Sequence, residues 1–313
     1  MIKVKRLSCP DILKISVVPE TDGEFETKDA IVFFSDSLNH HKTFKRIRKN
    51  GTSRTEASYT TYADKTIKER LLIMFNGKCA YCESNVNATY FGDIEHFRPK
   101  GGYGEPLVQP GYYWLASEWE NLLYSCAFCN QTYTHKVLVN GKIVEIIQGK
   151  LNQFPLDDER RRIKIEDGQK YFSDSANYKI AFDKEESVRL LLNPCIDNVE
   201  DHFKYIEEGV ILAEDNLNTL DKKRADTSIK VYALQRVGLV QAREQKIIII
   251  KAQIERIKEA IKNLNDHINN SNEERIWFEG ILRREMQILK SFKDAKQDYA
   301  GLARYFINKH FIT

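Results

Sequence analysis

The sequence predicts an α+β fold: a small core stapled by cysteines in the first half, then a mostly α-helical C-terminal region with a long helical hairpin. Three observations predict it. Two Cys-x-x-Cys pairs, Cys79/Cys82 and Cys126/Cys129, bracket a short stretch. Cysteines at i and i+3 reach one ion from a tight knuckle, and two knuckles complete a closed four-sulfur zinc site. Beyond the second pair, Val137-Leu-Val-Asn-Gly-Lys-Ile-Val144 is a β-hairpin signal, because Asn140-Gly141 suits a two-residue turn with positive φ at both positions. In the last third, Ile247, Ile250, Ile254, Ile257, Ile261, Leu264 and Ile268 follow a three-four alternation, the a/d seam of a long helix.

At 313 residues the chain has room for one large domain or two or three modest ones. The expected partition is 1–75, an N-terminal region with a basic cluster; 76–156, the core; and 157–313, mixed and then helical. Apolar residues make up 42 % and charged residues 30 %, an ordinary balance for a soluble globular protein. A net charge of +3 is too small to mark a nucleic-acid binder by itself, so any such surface must be local. No stretch approaches the roughly 20 apolar residues that span a bilayer. Met1-Ile-Lys-Val-Lys-Arg-Leu7 has no apolar signal core, so a cytoplasmic location is expected. The paired cysteine spacing then reads as metal ligation in a reducing compartment, with Cys9 and Cys195 left as small buried hydrophobes.

Along the chain, short apolar runs such as Ala30-Ile-Val-Phe-Phe34 alternate with polar loops up to about residue 75. His40, His41, Lys42, Lys45, Arg46, Arg48, Lys49 and Arg54 form a basic cluster, read as a solvated helix face or loop. Its place just ahead of the core makes Lys45, Arg46, Arg48 and Lys49 candidates for phosphate contact. Ile67, Leu71, Leu72 and Phe75 recur at helical spacing, and Asn76-Gly77 is a good stop that delivers Cys79 to the metal. Residues 157–225 show poor periodicity and support few elements. After the seam and the Asn269-Asn270 loop, Ser271-Asn-Glu-Glu274 is a capping box that starts a second helix. Its Phe278, Ile281, Leu282, Ile288 and Leu289 can fold back on the first. The seam is either satisfied inside that hairpin or left as a docking surface.

The chemistry sits between the cysteines. A closed four-sulfur site leaves no open coordination position, so its zinc is structural, and the cysteines alone fit a zinc-stapled adaptor equally well. Asp93-Ile-Glu-His-Phe-Arg-Pro-Lys100 adds more. Hydrolysis of a phosphodiester needs a base to activate water and a cation to offset charge on the phosphate. His96 suits the base role because its pKa lies near neutrality. Glu95 and Asn130 offer hard oxygens for a catalytic Mg2+ or Mn2+. On an extended strand Glu95 and His96 point to opposite sides, so both reach one site only if a twist or bulge intervenes. Asn121 can accept a bond from the imidazole N–H and fix its tautomer. Arg98, Lys100 and Lys136 are candidate nucleic-acid contacts, and His135 or Lys136 is a candidate phosphate contact. His202 reads as structural.

The order Cys-x-x-Cys, Glu-His-x-x-Pro, Trp-x-Asn-Leu, Cys-x-x-Cys-Asn resembles the ββα-metal core of His-Asn-His/His-Asn-Asn (HNH) endonucleases in their four-cysteine form. Cys79-Ala-Tyr-Cys-Glu83, Ile94-Glu-His-Phe-Arg-Pro-Lys100, Trp114-Leu-Ala116, Trp119-Glu-Asn-Leu122 and Phe154-Pro-Leu156 are similar to the PtuB-like family. Leu190-Leu-Leu-Asn-Pro194, Glu200-Asp-His-Phe203 and Leu239-Val-Gln-Ala-Arg243 extend the likeness more loosely over most of the chain. The resemblance implies a metal-dependent nuclease subunit of Septu-type antiphage systems and some retrons, acting beside a PtuA-like ATPase. It implies His96 as general base, oriented by Asn121, with Glu95 and Asn130 on the catalytic Mg2+ or Mn2+. One departure is Gln131-Thr-Tyr-Thr-His-Lys136, which delays the basic residue that usually follows the second knuckle. The alternatives are a ribonuclease acting on tRNA or other structured RNA, since this chemistry needs no 2′-hydroxyl, and a non-catalytic zinc-stapled adaptor.

Overall fold

A computed structural model describes residues 1–15, 19–50, 53–87, 92–139, 141–267 and 271–311, with residues 47–50, 53–57 and 310–311 described by backbone alone. The fold mixes helices with small antiparallel sheets, the expected α+β class. Among the described residues every sheet is a two-stranded pair.

Helix α1 (Asp22–Ser35) starts where Thr21 accepts a hydrogen bond from the Glu24 N–H. The first half of the basic cluster, His40 to Lys45, is turn and loop as expected, whereas its second half departs from that reading: β1 (Arg46–Asn50) pairs with β2 (Ser53–Ala57). Charge does not choose a helix, and Ile47 and Thr55 are strand formers. Helix α2 (Lys65–Met74) is capped by Asp64, which accepts from the Thr66 N–H, and buries Ile67, Leu71 and Met74. It stops at the expected place. Asn76 and Gly77 take φ of 54° and 71°, and the Gly77 N–H bonds back to the Leu72 carbonyl at 2.9 Å.

Next come β3 (Asp93–His96) and β4 (Leu122–Ser125), an antiparallel pair running from Asp93↔Ser125 to His96↔Leu122, and the one-turn helix α3 (Ala127–Asn130). The expected hairpin forms as β5 (Tyr133–Val139) and β6 (Lys142–Gln148), longer than its sequence signal; Asn140 lies outside the described residues. It is no free decoration: Val137 is buried, and the Leu138 N–H reaches the Gln235 carbonyl.

The stretch that showed little periodicity is built of short pieces. Helices α4 (Ile165–Gly168), α5 (Lys170–Ser173) and α6 (Ser175–Glu186) precede β7 (Phe203–Tyr205), β8 (Ile211–Ala213) and α7 (Thr219–Val231). Elements of three and four residues leave no period to read, and capping by Asp174 and Asn218 sets the starts of α6 and α7. A fully buried carboxylate bolts this layer to the core. Glu185 accepts from Arg98 Nε at 2.9 Å, the Tyr112 hydroxyl at 2.8 Å and the Ile163 N–H at 2.9 Å.

Helix α8 (Val237–Asp266) and helix α9 (Asn272–Ser291) make the expected hairpin, with both halves of the Ser271/Glu274 capping box formed. Ile247, Ile250, Ile254 and Ile257 are buried, whereas Ile261 is 42 % exposed. Ile268 and the Asn269-Asn270 loop lie outside the described residues. Gln253 fixes the hairpin's register by donating to both the carbonyl and the carboxylate of Glu285. Helix α10 (Ala300–Phe311) closes the fold. One cluster of buried apolar residues draws on the chain from its first helix to Ile307. No described helix is long and apolar enough to cross a membrane.

Candidate functional site

The two knuckles meet. The sulfurs of Cys79, Cys82, Cys126 and Cys129 lie within 4.8 Å of one another, all buried, with Cys82 and Cys126 at 3.9 Å. A zinc ion about 2.3 Å from each of four sulfurs sets them roughly 3.8 Å apart, so the cluster could hold structural zinc with a contraction of about 1 Å at most. The Ala80 N–H bonds to the Tyr124 carbonyl, tying the first knuckle to β4, and Tyr81 stacks on Tyr232 at 3.8 Å. Arg236, just ahead of α8, directs its guanidinium at the Cys129 and Cys126 sulfurs from 3.5 and 4.0 Å, which offsets thiolate charge. Cys9 and Cys195 stay single and half-buried, and burial pushes each thiol up to about 11.

His96 ends β3 with its ring only 6 % exposed. Its Nε2 pairs with the Ala116 carbonyl at 2.8 Å, which assigns that nitrogen the proton and leaves Nδ1 as acceptor. Lys100 Nζ stands 3.4 Å from Nδ1, and the Tyr62 ring meets the imidazole edge-on at 4.5 Å. Burial, with the Lys100 charge adding to it, holds the imidazole well below its ordinary value.

Two expected contacts are not made. Asn121 does not orient the ring. Its oxygen accepts from the Arg98 N–H at 2.7 Å, and its amide donates to the Arg98 and Leu115 carbonyls at 3.0 Å each. It clamps the backbone on either side of the site, and the Ala116 carbonyl does the orienting. Nor do Glu95 and Asn130 converge on one ion. β3 and β4 pair through four consecutive residues without a bulge, so Glu95 stays on the face opposite His96. Its carboxylate meets the ammonium of the fully buried Lys150 at 2.5 Å. Asn130 instead donates to Asp93 at 3.3 Å. In this structure Lys150 is the cation on Glu95, and Asn130 stands with Asp93.

Sequence reasoning missed Lys150, a lone lysine after a strand. It also donates to the His96 carbonyl at 2.9 Å, and its own N–H bonds to the Cys129 carbonyl. Gly149 permits that approach, since a Cβ there would stand 1.8 Å from the Gln131 carbonyl oxygen. Glu26 was missed as well. Fully buried in α1, it accepts from the Ser117 hydroxyl at 2.6 Å and from the Thr60 and Thr61 N–H groups. It thereby fixes both the loop that carries Ala116 and the turn that carries Tyr62. A carboxylate in an exposed-looking helix gives no sequence signal of such a role.

The basic candidates divide. Lys100 is at the site. Arg98 is buried, paired with Glu185 and Glu186 at 2.9 and 2.6 Å, and is a structural tie rather than a nucleic-acid contact. Arg46 pairs with Glu26 at 3.3 Å and Asp29 at 3.7 Å, which removes it too from a phosphate surface. Lys45 and Lys136 are exposed, and the side chains of Arg48 and Lys49 lie outside the described residues. His135, the other candidate phosphate contact, is on β5 and buried. His202 bonds to the Asn198 carbonyl, in keeping with a structural role.

No protein-family model matches the chain. The Septu protein PtuB of Bacillus mycoides (strain KBAB4) is 33 % identical over 250 residues, 78 % of this chain and 66 % of that protein. The Septu protein PtuB of Bacillus thuringiensis is 40 % identical over 65 residues, 20 % of this chain and 22 % of that protein. The Septu protein PtuA of the same B. mycoides strain is 29 % identical over 175 residues, 55 % of this chain and 19 % of that protein. The chain thus spans about two thirds or less of the curated relatives it matches.

Replacing Cys126 by Ser is expected to release zinc and to unfold the core, because structural metal contributes its binding energy to folding. Metal content by mass spectrometry and a thermal melt check this; a variant that keeps its zinc and melts like the parent contradicts the staple. A second expectation concerns pH. The His96 ring resists protonation when folded, whereas the unfolded chain binds the proton near 6.5, so stability falls as pH drops below that value. Urea unfolding of the parent should show about 1.4 kcal/mol per pH unit more slope there than His96→Gln. Parallel slopes would refute the buried neutral imidazole.

Proposed function

The chain belongs to the PtuB-like family of Septu proteins, and from that premise we propose that it hydrolyses nucleic-acid phosphodiester bonds as the effector nuclease of an antiphage defence system. The observation that carries the reading is the state of His96. Its Nε2–H is spent on the Ala116 carbonyl, so Nδ1 is a proton acceptor, and the neighbouring cation is Lys100. The order β3–β4–α3, with the four thiols at its edge, supports an HNH-type core.

A phosphate draws the Lys100 ammonium more strongly than a neutral imidazole does, so substrate entry frees Nδ1 as it displaces Lys100 and Tyr62. Water then attacks phosphorus while its proton passes to Nδ1. The bond to the 3′ oxygen breaks, that oxygen takes a proton from solvent, and Lys100 faces the charge that builds on the phosphate. The Ala116 carbonyl stabilises the imidazolium formed. A PtuA-like ATPase is the partner this reading implies. The outer face of α9 supports a docking role, with Ile276, Trp277 and Met286 each more than half exposed.

Replacing His96 by Ala is expected to cost at least ~10²-fold in cleavage rate while zinc stays bound. The assay uses DNA and RNA substrates, in Mg2+ and in Mn2+, with and without a PtuA-type ATPase. Undiminished cleavage by the variant would rule out His96 as the base. Binding without cleavage by the parent in every arm would favour the adaptor reading.

A further inference from the structure

A cavity of about 750 Å³ lies between the second cysteine knuckle, β5 and the first turn of α8. We propose that it receives an unstacked base of the nucleic acid, held beside the scissile phosphate and not at it. The inference rests on the nuclease reading for its substrate class, and on the cavity alone for the contact.

Three rings form its wall. Phe128 and Tyr133 meet edge to face at 5.5 Å, and His135 approaches them at 5.9 and 6.1 Å. Phe128 is 54 % exposed and Tyr133 38 %, although each is large and apolar enough to be buried elsewhere. An edge-to-face arrangement leaves ring faces uncovered, and every base offers a π-face to stack on them. His135 adds the second observation. It is 93 % buried, yet its Nε2 has no hydrogen-bond partner. A buried polar nitrogen without a partner is costly, and a turn of the His135 ring towards the cavity would bring it to the donors and acceptors of a base edge.

Charge favours a nucleotide over a peptide or lipid. Among the described residues no carboxylate lines the cavity, while Lys136 and Arg236 do. Arg236 is turned towards the thiolates, so the exposed Lys136, across the hairpin from Glu145, is the cation offered to a backbone phosphate. The first turn of α8 faces the same space. Its leading N–H groups have no intrahelical acceptor, and a Cβ at Gly238 would meet nothing within 4 Å.

The distance from His96 decides which nucleotide is bound. Neither His96 nor its neighbours Lys100 and Tyr62 line the cavity. A base in the cavity belongs to a flanking nucleotide. Such a contact positions the strand and tolerates any sequence, because stacking does not read base edges closely.

The test measures binding of fluorescent oligothymidylate and oligouridylate to full-length His96→Ala protein, so that cleavage does not interfere. Adding Phe128→Ala or Tyr133→Ala should weaken binding roughly 5- to 100-fold, the range of one lost stacking contact. Phe128→Tyr should restore it. Zinc content and melting temperature should match the parent, since both rings are at the surface. Unchanged affinity in the two ring variants overturns the proposal, as does a loss confined to Lys136→Gln or an absence of oligonucleotide binding by the His96→Ala protein itself. Ring variants that bind normally while the parent cleaves through His96 would sink the base site and leave the nuclease reading standing. Weakened binding in those variants, with no cleavage by the parent, would support the base site and sink the nuclease.

Discussion

Four thiols drawn together from two segments 44 residues apart are the constraint on which the rest of the structure depends. A two-stranded ribbon as short as β3 and β4 is not stable alone in water. Here the first knuckle bonds to β4, the second follows β4 directly, and Lys150 runs from the second knuckle to the His96 carbonyl. Arg236 then ties the long α8–α9 hairpin to the same sulfurs. Bringing four thiolates into one buried volume is unfavourable without a cation, and a divalent ion held by the four sulfurs would supply that charge together with Arg236.

What the staple fixes at one end of β3, the N-terminal segment finishes at the other. Glu26 reaches across from α1 to hold Ser117, next to the carbonyl that sets the His96 tautomer, and it also holds the turn that lays Tyr62 over the ring. The imidazole is therefore enclosed by side chains from three segments. Two of its covers, Tyr62 and Lys100, come from different segments and meet in a cation–ring contact of 4.5 Å. This is a closed arrangement around the imidazole. Access to it needs movement of two side chains, not of the fold.

Much of this was legible in the sequence, and what was legible shares a cause. The cysteine spacing, the Asn76-Gly77 stop, the Asn140-Gly141 turn signal, the seam and the Ser271 capping box are all local rules in which a few adjacent residues dictate geometry. Contacts made across the fold were not legible. Glu26 and Lys150 look like ordinary surface charges until the chain closes on them. Asn121 and Arg98 looked like site residues because they sit in the right motif, yet one clamps backbone and the other pairs with Glu185. Glu95 could reach the His96 side only through a twist or a bulge, and β3 pairs with β4 without a bulge while the Glu95 carboxylate meets Lys150. Residues 157–225 resisted reading because elements of three or four residues carry no period.

The most direct measurement is amide hydrogen exchange before and after removal of the metal by a chelator. If the four-sulfur site is the organising constraint, β3, β4 and the Lys150 segment lose protection when the ion leaves, while the middle of α8 keeps its own. Unchanged protection across β3 and β4 in the metal-free protein would contradict the account.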